Sequence, residues 1–109
     1  MSRSALAGSR VVDLAQGVAA SYCGKLLACF GADVVKVEAK QGDPNRSIFK
    51  SFTVANHSKR VIGVDMKHAE GLRIVQQLCA GADVVMNNFR PGVAVRLGVD
   101  PAPLAAINS

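Results

Sequence analysis

The chain has 109 residues, of which half are apolar and 19% are charged, and its formal net charge is +5. This length suits one domain, and this composition is typical of a folded globular protein and excludes a disordered chain. No apolar run approaches the roughly 20 residues of a membrane helix, and the first eight residues lack a signal-peptide core. We therefore expect residues 1–109 to belong to one domain, in a cytoplasmic protein without a membrane partner.

The positive charge does not by itself indicate a nucleic-acid partner. The 13 Lys and Arg are spread along the chain, beside only four Phe, one Tyr and no Trp. Single-strand binders place aromatic rings beside basic residues, and duplex readers present a basic helix or arm. Neither pattern is present, so a phosphate-bearing small ligand is favoured. DNA binding stays open as an alternative that rests on the charge alone.

The three cysteines indicate neither a metal site nor a disulfide. Cys23, Cys29 and Cys79 are odd in number and have no CxxC spacing. All three fall on predicted helices, so we expect small buried apolar side chains and no metal cofactor.

The first part of the chain predicts a strand, a turn and a helix. Arg10–Leu14 is a β-branched first strand, and the small residues after it form a turn that lacks the GxGxxG spacing of dinucleotide sites. Ala19–Phe30 is predicted as a helix ended by Gly31. Four apolar residues share one face of it and are expected to pack inward: Tyr22, Leu26, Leu27 and Phe30.

Two further strands and a second long helix follow. Asp33–Glu38 is the second strand, in which alternating Lys36 and Glu38 indicate partly polar surroundings. Residues 39–59 are predicted to be a long irregular segment. Arg60–Met66 is the third strand, and Asp65 is predicted to cap the next helix. That helix is predicted over 67–80, with one apolar stripe formed by Leu72, Val75, Leu78 and Cys79.

The last part predicts a strand that leads into an anion-binding turn. Ala82–Met86 is a short apolar run typical of a buried strand, and two asparagines end it. Pro91 is predicted at the first position of a short helix that ends at Leu97, and Pro101–Ile107 is another helix. A strand that runs into a helix start presents free N–H groups to an anion, here flanked by Arg90 and Arg96.

This alternation of strands and helices predicts an α/β fold, a Rossmann-like, mainly parallel partial sheet with helices packed on it. Four strands without a fifth leave a sheet edge that something else should cover. We therefore expect the chain to be part of a larger domain.

Several short motifs occur together in a characteristic order. They are Gly31–Glu38 (GADVVKVE), Gly42-Asp43 with Arg46, Asn56 with Lys59-Arg60, Asp65-Met66-Lys67, Glu70-Gly71, Ala82–Val85, and Asn88–Gly92 (NFRPG) with Arg96-Leu97-Gly98. In this order the chain, from about Gly8 to Asn108, resembles the N-terminal region of the family III CoA-transferases. That family contains formyl-CoA transferase and the α-methylacyl-CoA racemases.

The resemblance implies that the chain binds coenzyme A as part of an acyl-CoA substrate, at the carboxyl ends of the strands. The residues implied in CoA binding are Gln16, Val18, Ala19, Val64, Lys67, Asn88, Phe89, Arg90 and Arg96. Arg96 matches the arginine near the nucleotide phosphates, and Lys67 matches a second basic contact. Without the resemblance, Arg96 would be interpreted as a solvated surface residue. Asn88 would be expected equally to brace the turn, and Gln16 and Val18 to be residues at the start of a helix.

Three positions depart from the family pattern. Ala19-Ala20-Ser21 stands where Ala-Gly-Pro is common, and Val18 stands where formyl-CoA transferase has a glutamine. Ala39 occupies a position that is often basic, with Lys40 one residue further on.

The resemblance implies a transferase that moves CoA between carboxylic acids through an aspartyl-CoA thioester. None of the six Asp in the chain matches the catalytic nucleophile, which is expected further along the chain, so no catalytic residue is assigned and the chain alone is expected to be inactive. The resemblance also implies an intertwined dimer in the complete family member, so a homo-oligomer is expected. The alternatives are a portion of an α-methylacyl-CoA racemase, or a non-catalytic CoA-binding or structural module that needs a partner chain.

The remaining polar residues are expected to have structural roles. His57 and His68 are expected on the surface, and Asp13 and Asp83 flank strands.

Overall fold

The fold is a parallel sheet with helices packed on it. The computed structural model describes residues 4–48 and 50–108. Its four strands are β1 (Arg10–Asp13), β2 (Asp33–Glu38), β3 (Arg60–Gly63) and β4 (Val84–Met86), in the order β3-β2-β1-β4 with every pair parallel. The predicted α/β class is confirmed.

The helices occupy the connections and the end of the chain. They are α1 (Ala19–Cys29), α2 (Ser51–Asn56), α3 (Ala69–Ala80), α4 (Val93–Leu97) and α5 (Pro101–Ile107), with a 3₁₀ turn at Pro44–Ser47. Residues 39–59 are therefore not the irregular segment predicted from the sequence. Within the described ranges, no helix combines the length and the apolar character needed to cross a membrane.

The larger part of the core lies between the sheet and α3. Its buried side chains are Val12, Leu14, Val37, Val64, Val75, Cys79, Ala82 and Val99. The stripe predicted on α3 is confirmed, because Val75 and Cys79 are buried and Leu72 and Leu78 pack partly buried against them. Burial raises the pKa of the Cys79 thiol.

The face of α1 that packs inward differs from the prediction. Ser21 and Gly24 are its buried residues. Leu27 packs as predicted, partly buried against the Val11 and Val34 side chains, whereas Tyr22, Leu26 and Phe30 are 46%, 41% and 58% exposed. A Cβ on Gly24 would lie 2.7 Å from Asp13 Oδ2, so the helix approaches the sheet through its small residues. Cys23 and Cys29 are exposed on this helix as well, and only Cys79 is buried as predicted.

Several predicted boundaries shift by one to three residues. The third strand ends at Gly63, three residues before the predicted end. Helix α3 begins at Ala69, and its N-cap is His68, whose Nδ1 accepts a 3.2 Å hydrogen bond from the Glu70 N–H. Asp65 caps the preceding turn by accepting from the Lys67 N–H at 3.0 Å. The predicted role of Asp65 as the helix cap is therefore wrong.

Helix α4 also begins later than predicted. It starts at Val93, and Gly92 precedes it with φ at 86°, a conformation that favours glycine. Pro91 therefore lies in the turn before the helix and not at its first position.

Candidate functional site

A cleft of about 830 Å³ opens at the carboxyl ends of the strands. The chain proceeds from β1 outward to β2 and β3, and then places β4 on the other side of β1. Open α/β sheets bind ligands where the strand order reverses in this way. Five of the nine residues predicted to bind CoA line the cleft: Gln16, Val64, Lys67, Phe89 and Arg96.

The walls of the cleft combine positive charge with apolar surface. Lys40, Lys67 and Arg96 line it together with one acid, Asp65, which already accepts the Lys67 N–H. No acceptor among residues 4–48 and 50–108 lies within hydrogen-bond or ion-pair distance of these three cationic side chains. The apolar wall consists of Val64, Met66, Phe89, Val93 and Leu97. Such a lining suits an anionic ligand that also carries an apolar part.

Four predicted binding residues do not line this cleft. Val18 and Ala19 are exposed at the start of α1, and Arg90 is exposed in the turn after β4. Both polar groups of the Asn88 amide bond the main chain of Gln16: Oδ1 accepts from its N–H at 2.9 Å, and Nδ2 donates to its carbonyl at 2.6 Å. Asn88 therefore braces the turn, and ligand contact by these four residues remains a prediction.

The cleft continues past Gln16 into a smaller recess of about 360 Å³. The two spaces share Gln16, Ala39 and Gln41, and the recess is also lined by residues of the Gly42–Ser47 segment, including Arg46. Sequence reasoning missed Lys40 and Gln41 as lining residues. The signal for Lys40 was its place directly after Ala39, one of the three departures from the family pattern noted in the sequence.

A buried ion pair lies between β1 and α1. Lys59 Nζ is 2.6 Å from Asp13 Oδ2, and both side chains are fully buried. The same ammonium donates to the Ser21 carbonyl and to Asn56 Oδ1, each at 2.8 Å. Burial lowers the pKa of Lys59, and its bond to Asp13 acts in the opposite direction.

A second buried pair reaches the turn that lines the cleft. Lys36 Nζ lies 3.0 Å from Asp43 Oδ2, with both side chains fully buried, and it donates to the Ala15 carbonyl at 2.7 Å. The sequence predicted partly polar surroundings for Lys36 and Glu38. Their partners are indeed polar, and the structure adds that both residues are buried within networks of ion pairs and hydrogen bonds.

Glu38 joins the end of β2 to the segment that forms the smaller recess. Its carboxylate accepts from Arg46 Nε at 2.8 Å and from the Asp43 N–H at 2.7 Å, and the Arg46 guanidinium lies 3.8 Å from the Phe52 ring centroid. The hydrogen bond from Arg46 is the main cause of a lowered Glu38 pKa.

This lowered pKa predicts a specific loss of stability in acid. The unfolded chain binds a proton on Glu38 near pH 4.5 and the folded chain only at lower pH, so the free energy of unfolding should fall as pH drops through that window. Glu38→Gln removes this contribution, and its acid unfolding profile should be flatter. Chemical denaturation at several pH values measures it, with Glu70→Gln on exposed helix surface as the charge-matched control. Identical profiles for Glu38→Gln and the wild type would contradict the prediction.

Comparison with known proteins identifies one family. The sequence model described as CoA-transferase family III matches residues 6–109. The chain is 38% identical to the succinyl-CoA–L-malate CoA-transferase beta subunit of Chloroflexus aurantiacus, over 94% of this chain and 28% of that protein. It is 38% identical to a formyl-CoA:oxalate CoA-transferase of Bradyrhizobium sp., over 95% of this chain and 27% of that protein. The chain thus spans about a quarter of the length of these curated relatives.

A solved structure agrees with the sequence comparisons. A CAIB/BAIF family protein from Brucella suis superposes with a TM-score of 0.94 at 36% identity, over 98% of this chain and 32% of that one.

Proposed function

Because the chain belongs to CoA-transferase family III and corresponds to the N-terminal portion of its members, we propose that its cleft binds the CoA part of an acyl-CoA substrate. The observation that carries this proposal is the grouping of Lys40, Lys67 and Arg96 around one cleft at the reversal of strand order. Among the described residues these three cations have no acidic partner, and an anionic ligand between them would be attracted by all three.

The two parts of CoA match the two kinds of lining surface. Its phosphates are strong acceptors for Arg and Lys, so Arg96 and Lys67 would bind them, with Lys40 as a third cation of the same cleft. Its adenine and pantetheine have large apolar surfaces, which would contact Phe89 and the aliphatic side chains beside it. The predicted contacts of Val18, Ala19 and Arg90 would lie at the rim of the cleft.

In the whole family member, we propose a transfer of CoA between two carboxylic acids. A catalytic aspartate attacks the acyl-CoA carbonyl, the C–S bond breaks, and a mixed anhydride and CoA thiolate form. The thiolate then attacks the aspartyl carbonyl and releases the donor carboxylate, which leaves an aspartyl-CoA thioester. The acceptor carboxylate repeats these two steps in reverse and leaves as its own CoA thioester.

No Asp in these 109 residues matches that nucleophile. We therefore expect the purified chain to bind CoA without transferring it, and a CoA-transfer rate from this chain would contradict that expectation.

We also propose that the family member is a homo-oligomer. The support on this chain is the apolar outer face of α1, where Val18, Tyr22, Leu26 and Phe30 are each more than 40% exposed. Such a face favours a partner surface over water. Sedimentation of the purified chain measures association, and a monomer at all concentrations would contradict this role for the face.

The binding proposal predicts the effect of two substitutions. Arg96→Ala and Lys67→Ala should each weaken CoA binding about 10-fold to 100-fold, since each removes a charge-assisted hydrogen bond worth roughly 1.5–3 kcal/mol. Isothermal calorimetry measures the dissociation constant, and higher salt should weaken wild-type binding more than that of either variant.

The matched control for these substitutions is Arg10→Ala. Arg10 is an exposed arginine at the amino end of β1, so its removal changes the net charge equally at the opposite edge of the sheet. Its variant should bind CoA close to the wild type. A folded wild-type chain that does not bind CoA would contradict the proposed function.

A further inference from the structure

Side chains form hydrogen bonds with every main-chain polar group of two consecutive residues at the cleft, Ala15 and Gln16. The Ala15 N–H donates to Asp13 Oδ1 at 2.9 Å, and the Ala15 carbonyl accepts from Lys36 Nζ at 2.7 Å. The Gln16 N–H and carbonyl bond the two ends of the Asn88 amide, at 2.9 and 2.6 Å. Four backbone groups thus have four side-chain bonds.

These three side chains belong to three adjacent strands or to the residues that directly follow them. Asp13 ends β1, Lys36 lies opposite it on β2, and Asn88 follows β4 by two residues. Main-chain groups of a surface turn ordinarily bond other main chain or water. Here the turn is bonded instead by side chains whose positions follow from the pairing of β1 with β2 and β4.

Two of these three side chains, Asp13 and Lys36, are charged and fully buried. A contribution to folding stability does not by itself explain why charged residues occupy these positions. Lys36 is paired with Asp43, and Asp13 is paired with Lys59. Replacing a buried ion pair with apolar side chains is often neutral or stabilising, so such a pair is weak evidence for a stabilising role. An ammonium and a carboxylate are, however, strong partners for a main-chain carbonyl and N–H, and they hold those groups in one position.

We propose that Lys36, Asp13 and Asn88 are positioning residues that fix the Ala15–Gln16 main chain before CoA binds. This inference rests on the proposed function, because the ligand is the CoA that binds the cleft lined by Gln16. A turn that is already ordered loses little conformational entropy on binding, and this raises affinity without a new contact. Asn88 then contributes to binding through Gln16.

Asn88→Ala tests the inference, since Asn88 is exposed and its variant should fold. Amide hydrogen exchange at Gln16 in the ligand-free chain should become faster, because its N–H loses its acceptor. CoA should bind ~10-fold more weakly, with the salt dependence of the wild type, because no charge is removed. Asn88→Asp keeps the acceptor for the Gln16 N–H, so its exchange rate there should stay closer to the wild type.

A matched control separates positioning from general stability. Asn108 is also an exposed asparagine, and within residues 4–48 and 50–108 its side chain bonds only main chain. Its Nδ2 donates to the carbonyls of Cys79, Ala80 and Ala82 at the carboxyl end of α3. Asn108→Ala should lower the unfolding midpoint while CoA affinity stays at the wild-type value. A purely structural role for Asn88 would give the same result in both variants.

The role of Lys36 is tested in a double variant that also removes the charge of its ion-pair partner, Asp43. In Lys36→Met/Asp43→Asn no buried charge is left unpaired, and the Asp43 side-chain oxygen that accepts the Asn45 N–H is kept as an amide oxygen. This double variant should fold and bind CoA more weakly than the wild type.

The outcomes separate the two proposals. A wild-type chain that binds CoA, with Asn88→Ala binding equally well or with unchanged exchange at Gln16, would overturn the positioning role alone. A folded wild-type chain that does not bind CoA would overturn the proposed function, and the positioning role with it.

Discussion

Replacing Asp13 with alanine is expected to lower the free energy of unfolding by about 3–5 kcal/mol, the usual effect of leaving one member of a buried ion pair without its partner. Lys59 Nζ would lose the carboxylate at 2.6 Å while its side chain stays fully buried beneath α1. Its remaining partners, the Ser21 carbonyl and Asn56 Oδ1, are neutral and do not balance its charge. The Ala15 N–H would lose its acceptor as well.

Denaturant unfolding of Asp13→Ala beside the double variant Asp13→Ala/Lys59→Met measures this loss. Removing both charges should restore much of the stability, since apolar groups replace the pair without an unpaired ion. The double variant still lacks the acceptor for the Ala15 N–H, so we expect it to bind CoA more weakly than the wild type. A loss below about 1 kcal/mol in Asp13→Ala would place the pair among surface-like ion pairs and contradict the prediction.

Gly71→Ala is expected to destabilise the chain by roughly 1–3 kcal/mol, although alanine is the better helix former by about 1 kcal/mol. A Cβ at this position of α3 would lie 2.0 Å from the Asp65 carbonyl oxygen and 2.7 Å from its carbon. These atoms are main chain, so α3 or the turn after β3 must move. That turn carries Lys67 and Val64 into the cleft, so CoA affinity should fall together with stability.

Thermal unfolding and CoA calorimetry on the same samples measure both effects. Gly63→Ala is the matched control, because a Cβ there meets no atom within 4 Å and its φ is not positive. That variant should unfold within about 0.5 kcal/mol of the wild type, as most surface substitutions do. A Gly71→Ala variant as stable as the wild type would show that α3 shifts freely against the turn.

The sequence predicted much of the fold because strand and helix periods are local. The Val-rich runs and the alternation of strands with helices gave all four strands, and Asp33–Glu38 and Pro101–Ile107 have the predicted bounds. The apolar stripe of α3 was also correct, since that helix packs on the sheet through large side chains. On α1 the same reasoning was correct for Leu27 and wrong for the other three residues, because Gly24 and Ser21 allow an approach too close for large side chains.

The sequence likewise predicted some residues of the candidate site and missed the contacts of others. The family motifs indicated Lys67, Phe89 and Arg96, and these side chains line one cleft although they lie on different connections. No spacing in the sequence indicated that Asn88 would bond the main chain of Gln16, 72 positions away. The charges of Lys36 and Glu38 indicated polar surroundings, whereas their partners come from residues 43 and 46, folded over the end of β2.

The sequence by itself therefore determined the α/β class, the order of the elements and the family, since these depend on local apolar periods and short motifs. Only the tertiary structure decided which face of α1 is buried, which charges are paired in the interior, and how the turn at Ala15–Gln16 is held. Those features depend on contacts between residues distant in the chain, and the parallel register of β1, β2 and β4 is what brings Asp13, Lys36 and Asn88 together.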